Sequence, residues 1–239
     1  MTLVKGGFNY YSIPIGVICL ESYFPKPIGH IKHPAGFDFP VLYKTVQGAT
    51  IERLIGQRDI ALLQPFIDAA KELEREGVKA ITASCGFLAL FQREIADAVD
   101  IPVFISSLIQ IPMVYQSLGR HRKVGVVVAN SDALSADHLA AVGAENVPVA
   151  IAGMQHQPQF VDVILKGNNN DFDLDVFRDE LFAVIEAMIA ENPNLGSIVL
   201  ECTDLSHFAP QVQQRFNLPV YDLTSLTRMV AATVERKIA

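Results

Sequence analysis

Ile81-Thr82-Ala83-Ser84-Cys85-Gly86-Phe87 returns in kind at Ile198-Val199-Leu200-Glu201-Cys202-Thr203-Asp204. The shift that lays one stretch on the other is 117 residues (85 to 202). The same shift carries Phe91 onto Phe208, Ile95 onto Val212, Ile101 onto Leu218, Pro102 onto Pro219 and Val103 onto Val220 without a gap. A match that runs that far is a repeated supersecondary unit. Each copy reads as an apolar strand, a turn carrying the cysteine, a helix, and Ile-Pro-Val or Leu-Pro-Val opening the next strand, which is the pattern of a βαβ unit. Such units give parallel strands, and the loops after those strands open at the carboxyl edge of the sheet, where ligands bind. Cys85 and Cys202 both fall there.

A second echo precedes each cysteine unit. The apolar run 13–20 and the run 124–129 align with Gly16 on Gly125, and both read as strands buried on two faces. They end in the polar clusters Glu21-Ser22 and Asn130-Ser131-Asp132, so Glu21, Asn130 and Ser131 are candidate substrate contacts. The fold class expected is α/β, with two similar parallel-sheet domains. The first comprises 1–116 with 224–239, and the second, after the basic turn 120–123, comprises 117–223.

Composition narrows the function. The chain has 239 residues, 50% hydrophobic and 19% charged, enough for two small cores. A formal charge of −7 argues against nucleic acid as a partner and for a small metabolite. Three cysteines with no CxxC pair point to a reducing cytoplasm and against zinc. The sequence has neither a signal-peptide pattern nor an apolar run of about 18–20 residues, so a soluble cytoplasmic protein is expected, with no membrane partner.

The remaining elements follow from pattern. The stretch 23–48 is a long loop suited to a lid, with a strand over 39–45. Its His30 and His33 read as surface histidines, and Lys44, Arg53 and Arg58 as solvated charges. A helix over 64–76 has Pro65 in its first turn, Gly77 as its stop, and Phe66, Ala69, Ala70 and Leu73 as its buried face. Strands are expected at 79–83, 102–105, 147–152 and 219–222. Helices are expected from the Cys85 turn to 99 and over 111–118, 133–142 and 158–165. Phe177, Leu181, Val184 and Met188 recur at helical spacing. A last helix over 224–237, facing inward through Leu226, Val230 and Val234, is expected to pack back on the first half.

The chemistry resides in the cysteines. At a strand-to-helix turn a thiol feels the positive end of the helix, which favours thiolate. Two such turns facing across a cleft set one sulfur to remove a proton and the other to return one, work that needs no cofactor. Cys19, within a strand, reads as a small buried hydrophobe. Ser84, Gly86 and Thr203 are turn and cap residues that also lend N–H groups to an anion. Asp204 is a favourable charge at the helix start, with assistance to Cys202 as its sharper role. Glu201 and His207 are lesser candidates of that kind, His207 lying one turn too far along.

The paired motifs Ala-Ser-Cys85-Gly and Glu-Cys202-Thr-Asp, half a chain apart in a repeated α/β sequence, resemble the aspartate/glutamate/hydantoin racemase superfamily. The resemblance covers essentially the whole chain. It implies two domains related by pseudo-two-fold symmetry, an active site in the cleft between them, Cys85 and Cys202 as the catalytic pair, no cofactor, no metal, and a homodimer. It further implies an isomerase, a racemase or epimerase of a small carboxylate such as an acidic amino acid, with Thr203 suited to the substrate carboxylate. Many amino-acid racemases of this group carry Cys-Asn-Thr at the first cysteine. Here Cys85-Gly86-Phe87 removes a polar contact, and Phe87 facing the cleft would favour a less polar substrate. A maleate-type cis-trans isomerase and a hydantoin racemase are alternatives within the superfamily. A noncatalytic small-anion binding protein is the alternative outside it.

Overall fold

The computed structural model describes residues 6–235; the end of the expected 224–237 helix lies outside them. Among the described residues seven strands form two parallel sheets. The first has the order β2 (Val41–Thr45), β1 (Ile15–Cys19), β3 (Ala80–Ala83). The second has the order β5 (Val149–Gly153), β4 (Lys123–Val128), β6 (Leu195–Leu200), β7 (Val220–Tyr221). Register repeats with the sequence. Ile81 pairs Gly16 and bridges Val103, and Ile198 pairs Gly125 and Val220. The two glycines sit where helix side chains press on the central strand. A Cβ on Gly16 would meet Leu73 at 3.1 Å and one on Gly125 would meet Met188 at 2.9 Å.

The strand expected over 102–105 is reduced to that single bridge: Ile81 donates its N–H to the Pro102 carbonyl and accepts from the Phe104 amide, and the Phe104 carbonyl then accepts from the Thr82 hydroxyl. Gln92 Nε2 donates to the Val103 carbonyl and Gln92 Oε1 accepts from the Ile105 amide.

Among the described residues eight α-helical segments accompany the strands: α1 (Leu63–Glu76), α2 (Gln92–Asp97), α3 (Ile111–Gln116), α4 (Ala136–Ala141), α5 (Pro158–Phe160), α6 (Leu174–Glu191), α7 (Ala209–Phe216) and α8 (Leu223–Val234). α1 buries Phe66, Ala69, Ala70 and Leu73 and ends on Gly77, whose φ of 109° the absence of a Cβ permits. α6 buries Phe177, Leu181, Val184 and Met188. The opposite faces are covered by exchange. α3 follows the first cysteine unit yet packs Ile111 and Val114 on Val124, Val126 and Val128 of the second sheet. α8 follows the second unit and packs Leu226 and Ala231 on Ile15, Val17 and Ala80 of the first. Helix α3 thus lies on the second sheet, although the expected boundary grouped it with the first half.

Candidate active site

One cavity of about 20 Å³, room for about one water, takes both cysteines into its wall. Its lining follows the internal repeat. From the ends of β3 and β6 come Ser84 and Glu201, Cys85 and Cys202, Gly86 and Thr203, Phe87 and Asp204, each pair related by the 117-residue shift. A second shift, of 109 residues (16 to 125), relates Leu20 to Ala129 and Ile55 to Ile164. Those isoleucines stand on matching π-helical segments, Glu52–Gly56 and Val161–Leu165, a geometry frequent at functional sites. The scaffold is symmetric and the chemistry is not. The Cys85 side supplies Ser, Gly and Phe, whereas the Cys202 side supplies Glu, Thr and Asp.

Each cysteine opens a six-residue 3-10 segment, Gly86–Phe91 and Thr203–Phe208, rather than a long α-helix. The expected thiolate preference is reversed at rest. Burial pushes the Cys85 thiol well above its ordinary value and Glu201 adds to this, while the Phe87 and Leu88 amides pull the other way. Burial also raises Cys202, with Asp204 next, then Glu201 and Cys85, against a single helping amide from Asp204. Cys202 donates its S–H to Asp204 Oδ2 at 3.5 Å, so the sharper role of Asp204 has geometry behind it.

The other oxygen of Asp204 holds His30. His30 Nε2 stands 2.9 Å from Asp204 Oδ1, and His30 Nδ1 accepts the Lys32 backbone N–H at 2.9 Å. An Nδ1 that accepts carries no proton, so the imidazole is neutral and donates through Nε2. Burial lowers the basicity of His30 in the same sense. Burial works against charge on Asp204 too, yet the His30 hydrogen bond, with Lys26 and Cys202, outweighs it and keeps the carboxyl below its usual range. His30 is 2% exposed, which corrects the expectation of a surface histidine. The reason is its burial against a residue 174 positions away. Phe24 and Lys32 line the cavity from the same 23–48 loop. Lys32 Nζ donates to the Leu20 carbonyl and Ser22 Oγ, leaving one of its three N–H groups free of these bonds.

The remaining expected residues are placed as follows. Thr203 lines the cavity, and its hydroxyl donates to the Ser84 carbonyl at 2.7 Å, joining the two cysteine loops. Ser84 Oγ accepts the Leu20 amide. Phe87 lines the cavity with its ring edge-on to His138. A Cβ on Gly86 would run into the Glu201 carboxyl, so glycine there leaves the space that Glu201 fills. Glu21, Asn130 and Ser131 lie outside this cavity, engaged in their own loops. Glu21 accepts from the Gly48 amide, Asn130 from the Asp132 amide, and Ser131 Oγ from Gln155. Cys19 is buried in β1, its thiol raised to about 11 by burial. Lys44 pairs with Glu72, and Arg53 with Asp59, both away from the cavity. Among the described residues no group of His, Cys, Asp and Glu is arranged to hold a metal ion, and no helix is long and apolar enough to cross a membrane.

His30, Lys32 and Phe24 were not singled out by the sequence as site residues. Ile55 and Ile164 were within reach, since extending the Gly16-to-Gly125 alignment superposes them.

Comparison with known proteins places this geometry. Residues 40–230 match the family described as Asp/Glu/Hydantoin racemase. Dimethylsulfoniopropionate lyase 7 of Emiliania huxleyi (strain CCMP1516) is 31% identical over 92% of this chain and 67% of its own length. The dimethylsulfoniopropionate lyase of Durusdinium sp. clade D is 32% identical over 90% of this chain and 72% of its own. In fold, the Picrophilus torridus aspartate racemase superposes with a TM-score of 0.60 at 12% identity, covering 95% of this chain and 96% of that one. An arylmalonate decarboxylase gives 0.57 at 16% identity, covering 95% and 94%. With a family match over most of its length and the repeated cysteine loops meeting in one cavity, the chain belongs to the Asp/Glu/Hydantoin racemase family.

Proposed function

We propose that the chain is a cofactor-independent lyase that removes a proton beside a carboxylate and expels a leaving group from the next carbon. On dimethylsulfoniopropionate this gives dimethyl sulfide, acrylate and a proton. The observation that carries the reading is the identity of 31% and 32%, over nine-tenths of the chain, to two lyases of that name. The cavity chemistry supports it. Phe24, Phe87 and the ionised Asp204 suit a sulfonium cation, and the remaining N–H of Lys32 suits a carboxylate. The cavity must widen to admit anything larger than water.

Cys85 is the base in this scheme. Its sulfur has two amide donors, whereas Cys202 has one and faces ionised Asp204. An arriving sulfonium charge favours the thiolate and offsets burial, the resting thiol releasing its proton to solvent. The thiolate takes the α-proton, the C–H pair becomes the C=C bond, and the Cβ–S pair leaves on neutral dimethyl sulfide. A second reading, racemisation or epimerisation of a small carboxylate, is favoured by Cys202 on the repeat-related wall, a thiol set to return a proton.

Elimination needs one base and inversion needs both. Release of dimethyl sulfide into headspace, lost in Cys85→Ser and retained in part in Cys202→Ser, is the expected result. Loss in both variants, with α-proton exchange in deuterated water on chiral carboxylates, would move the assignment to the racemase. Neither reaction in the wild type would sink both readings.

A further inference from the structure

We infer that Glu201 recognises the substrate carboxylate as a neutral carboxylic acid, donating a hydrogen bond from Oε1. This inference rests on the reading that the substrate is a small carboxylate, and it names the group that selects one.

Glu201 is fully buried, lines the cavity, and reaches across to Gly86 on the opposite cysteine loop. Its two oxygens are not equivalent. Oε2 accepts the Ala129 amide at 3.3 Å, the role of the carbonyl oxygen in an undissociated acid. Oε1 is buried and has no hydrogen-bond partner among the described residues. In a neutral carboxyl group whose other oxygen accepts, the remaining oxygen is the hydroxyl, a donor that needs an acceptor. The thiols beside it are weak acceptors, so the missing partner is an oxygen brought by a ligand, and a carboxylate is the strongest such acceptor. Burial first, then the Asp204 charge, raise Glu201 to about 8 against the pull of the Ala129 amide, so the acid form prevails at neutral pH. A neutral acid used as a hydrogen-bond donor is an established way to hold an anionic oxygen in an apolar site. Gly86 is part of the device, since any Cβ there would displace the carboxyl group.

The groups facing Glu201 are Cys85 across the cavity, Cys202 and Asp204 on its own loop, and His30 and Lys32 from the 23–48 loop. Lys26, whose ammonium burial lowers to about 8, acts on the same cluster through Asp204.

The test is calorimetric titration of the whole chain with propionate between about pH 6 and pH 10. Propionate cannot undergo elimination, so the readout is independent of turnover. Wild-type affinity is expected to be level below pH 8 and to fall tenfold per unit above about 8, with uptake of one proton on binding. Glu201→Gln keeps a neutral donor, so it should bind propionate as wild type does at pH 7 with no fall above 8. Lys26→Met should keep the fall, which separates the two groups titrating in that range and stands on its own should the glutamine variant not fold. Wild-type affinity flat through pH 8, weakened binding by Glu201→Gln at pH 7, loss of the fall in Lys26→Met, or no propionate binding would each overturn the inference. A chain that releases no dimethyl sulfide yet shows the Glu201-dependent profile would retain this inference and lose the lyase reading.

Discussion

Replacing Thr203 by valine isolates the hydrogen bond that joins the two cysteine loops. The side chain is 1% exposed and its hydroxyl donates to the Ser84 carbonyl at 2.7 Å, across 119 residues of sequence. Valine keeps the shape and removes only the donor. The Ser84 carbonyl is then left buried without it, at a cost of about 1–3 kcal/mol. For a chain of this length each kcal/mol moves the melting temperature by roughly 2–4 °C, so the midpoint should fall by about 2–12 °C. Thr203→Ser is the control, since it keeps the donor and removes one buried methyl, a loss of about 0.8 kcal/mol plus a small cavity term. Thermal unfolding by circular dichroism should therefore rank wild type above serine and serine above valine. If serine proves the more damaging change, or valine melts with the wild type, packing and not the hydrogen bond joins the loops.

Stability against pH tests the state of Glu201 without any ligand. Its carboxyl is raised from 4.5 to about 8 in the fold, so the native chain keeps a proton that the unfolded chain releases between those values. The contribution of Glu201 to stability must therefore fall with rising pH across that window and level off above it. Glu201→Gln removes the effect, so its advantage over wild type in urea unfolding should grow from about pH 4.5 to pH 8, and a constant gap would refute the raised value. His30→Ala strips Asp204 of its donor and should cost about 1.5–3 kcal/mol in the same assay near neutral pH. Asp204 is depressed in the fold, so its contribution is present above its ordinary value of 3.8 and lost as the pH falls. The wild-type advantage over His30→Ala should accordingly shrink in acid, and an undiminished advantage at low pH would show that the imidazole matters through packing alone.

What the sequence made legible was whatever repeats. The 117-residue shift located both cysteines, and the 3-10 segments after them coincide under it, Gly86–Phe91 on Thr203–Phe208. The stripe of α6 was readable because buried residues on a helix recur at a fixed spacing. His30 was not, because nothing periodic surrounds it and its partner is remote in the chain. Protonation of the thiols was misjudged for a related reason. A helix-end argument weighs the local amides, whereas desolvation depends on what the rest of the chain brings over the sulfur, and here that includes Glu201 and Asp204. Gly86 looked like a lost polar contact, and only the fold reveals a carboxyl group from the other half in its place.

The exchange of α3 and α8 between sheets bears on how the chain folds as it is made. The second sheet receives a helix synthesised before its own strands, so β4 can be covered as soon as it emerges. The first sheet has the opposite fate. Ile15, Val17 and Ala80 wait for residues 223–234, and at about 5–20 residues per second that interval is on the order of ten seconds or more. Throughout it the apolar face of β1 and β3 is covered only in part, by residues such as Ile31 and Phe104. The nascent chain is therefore most exposed to aggregation while Ile15, Val17 and Ala80 await α8, and the docking of α8 ends that interval.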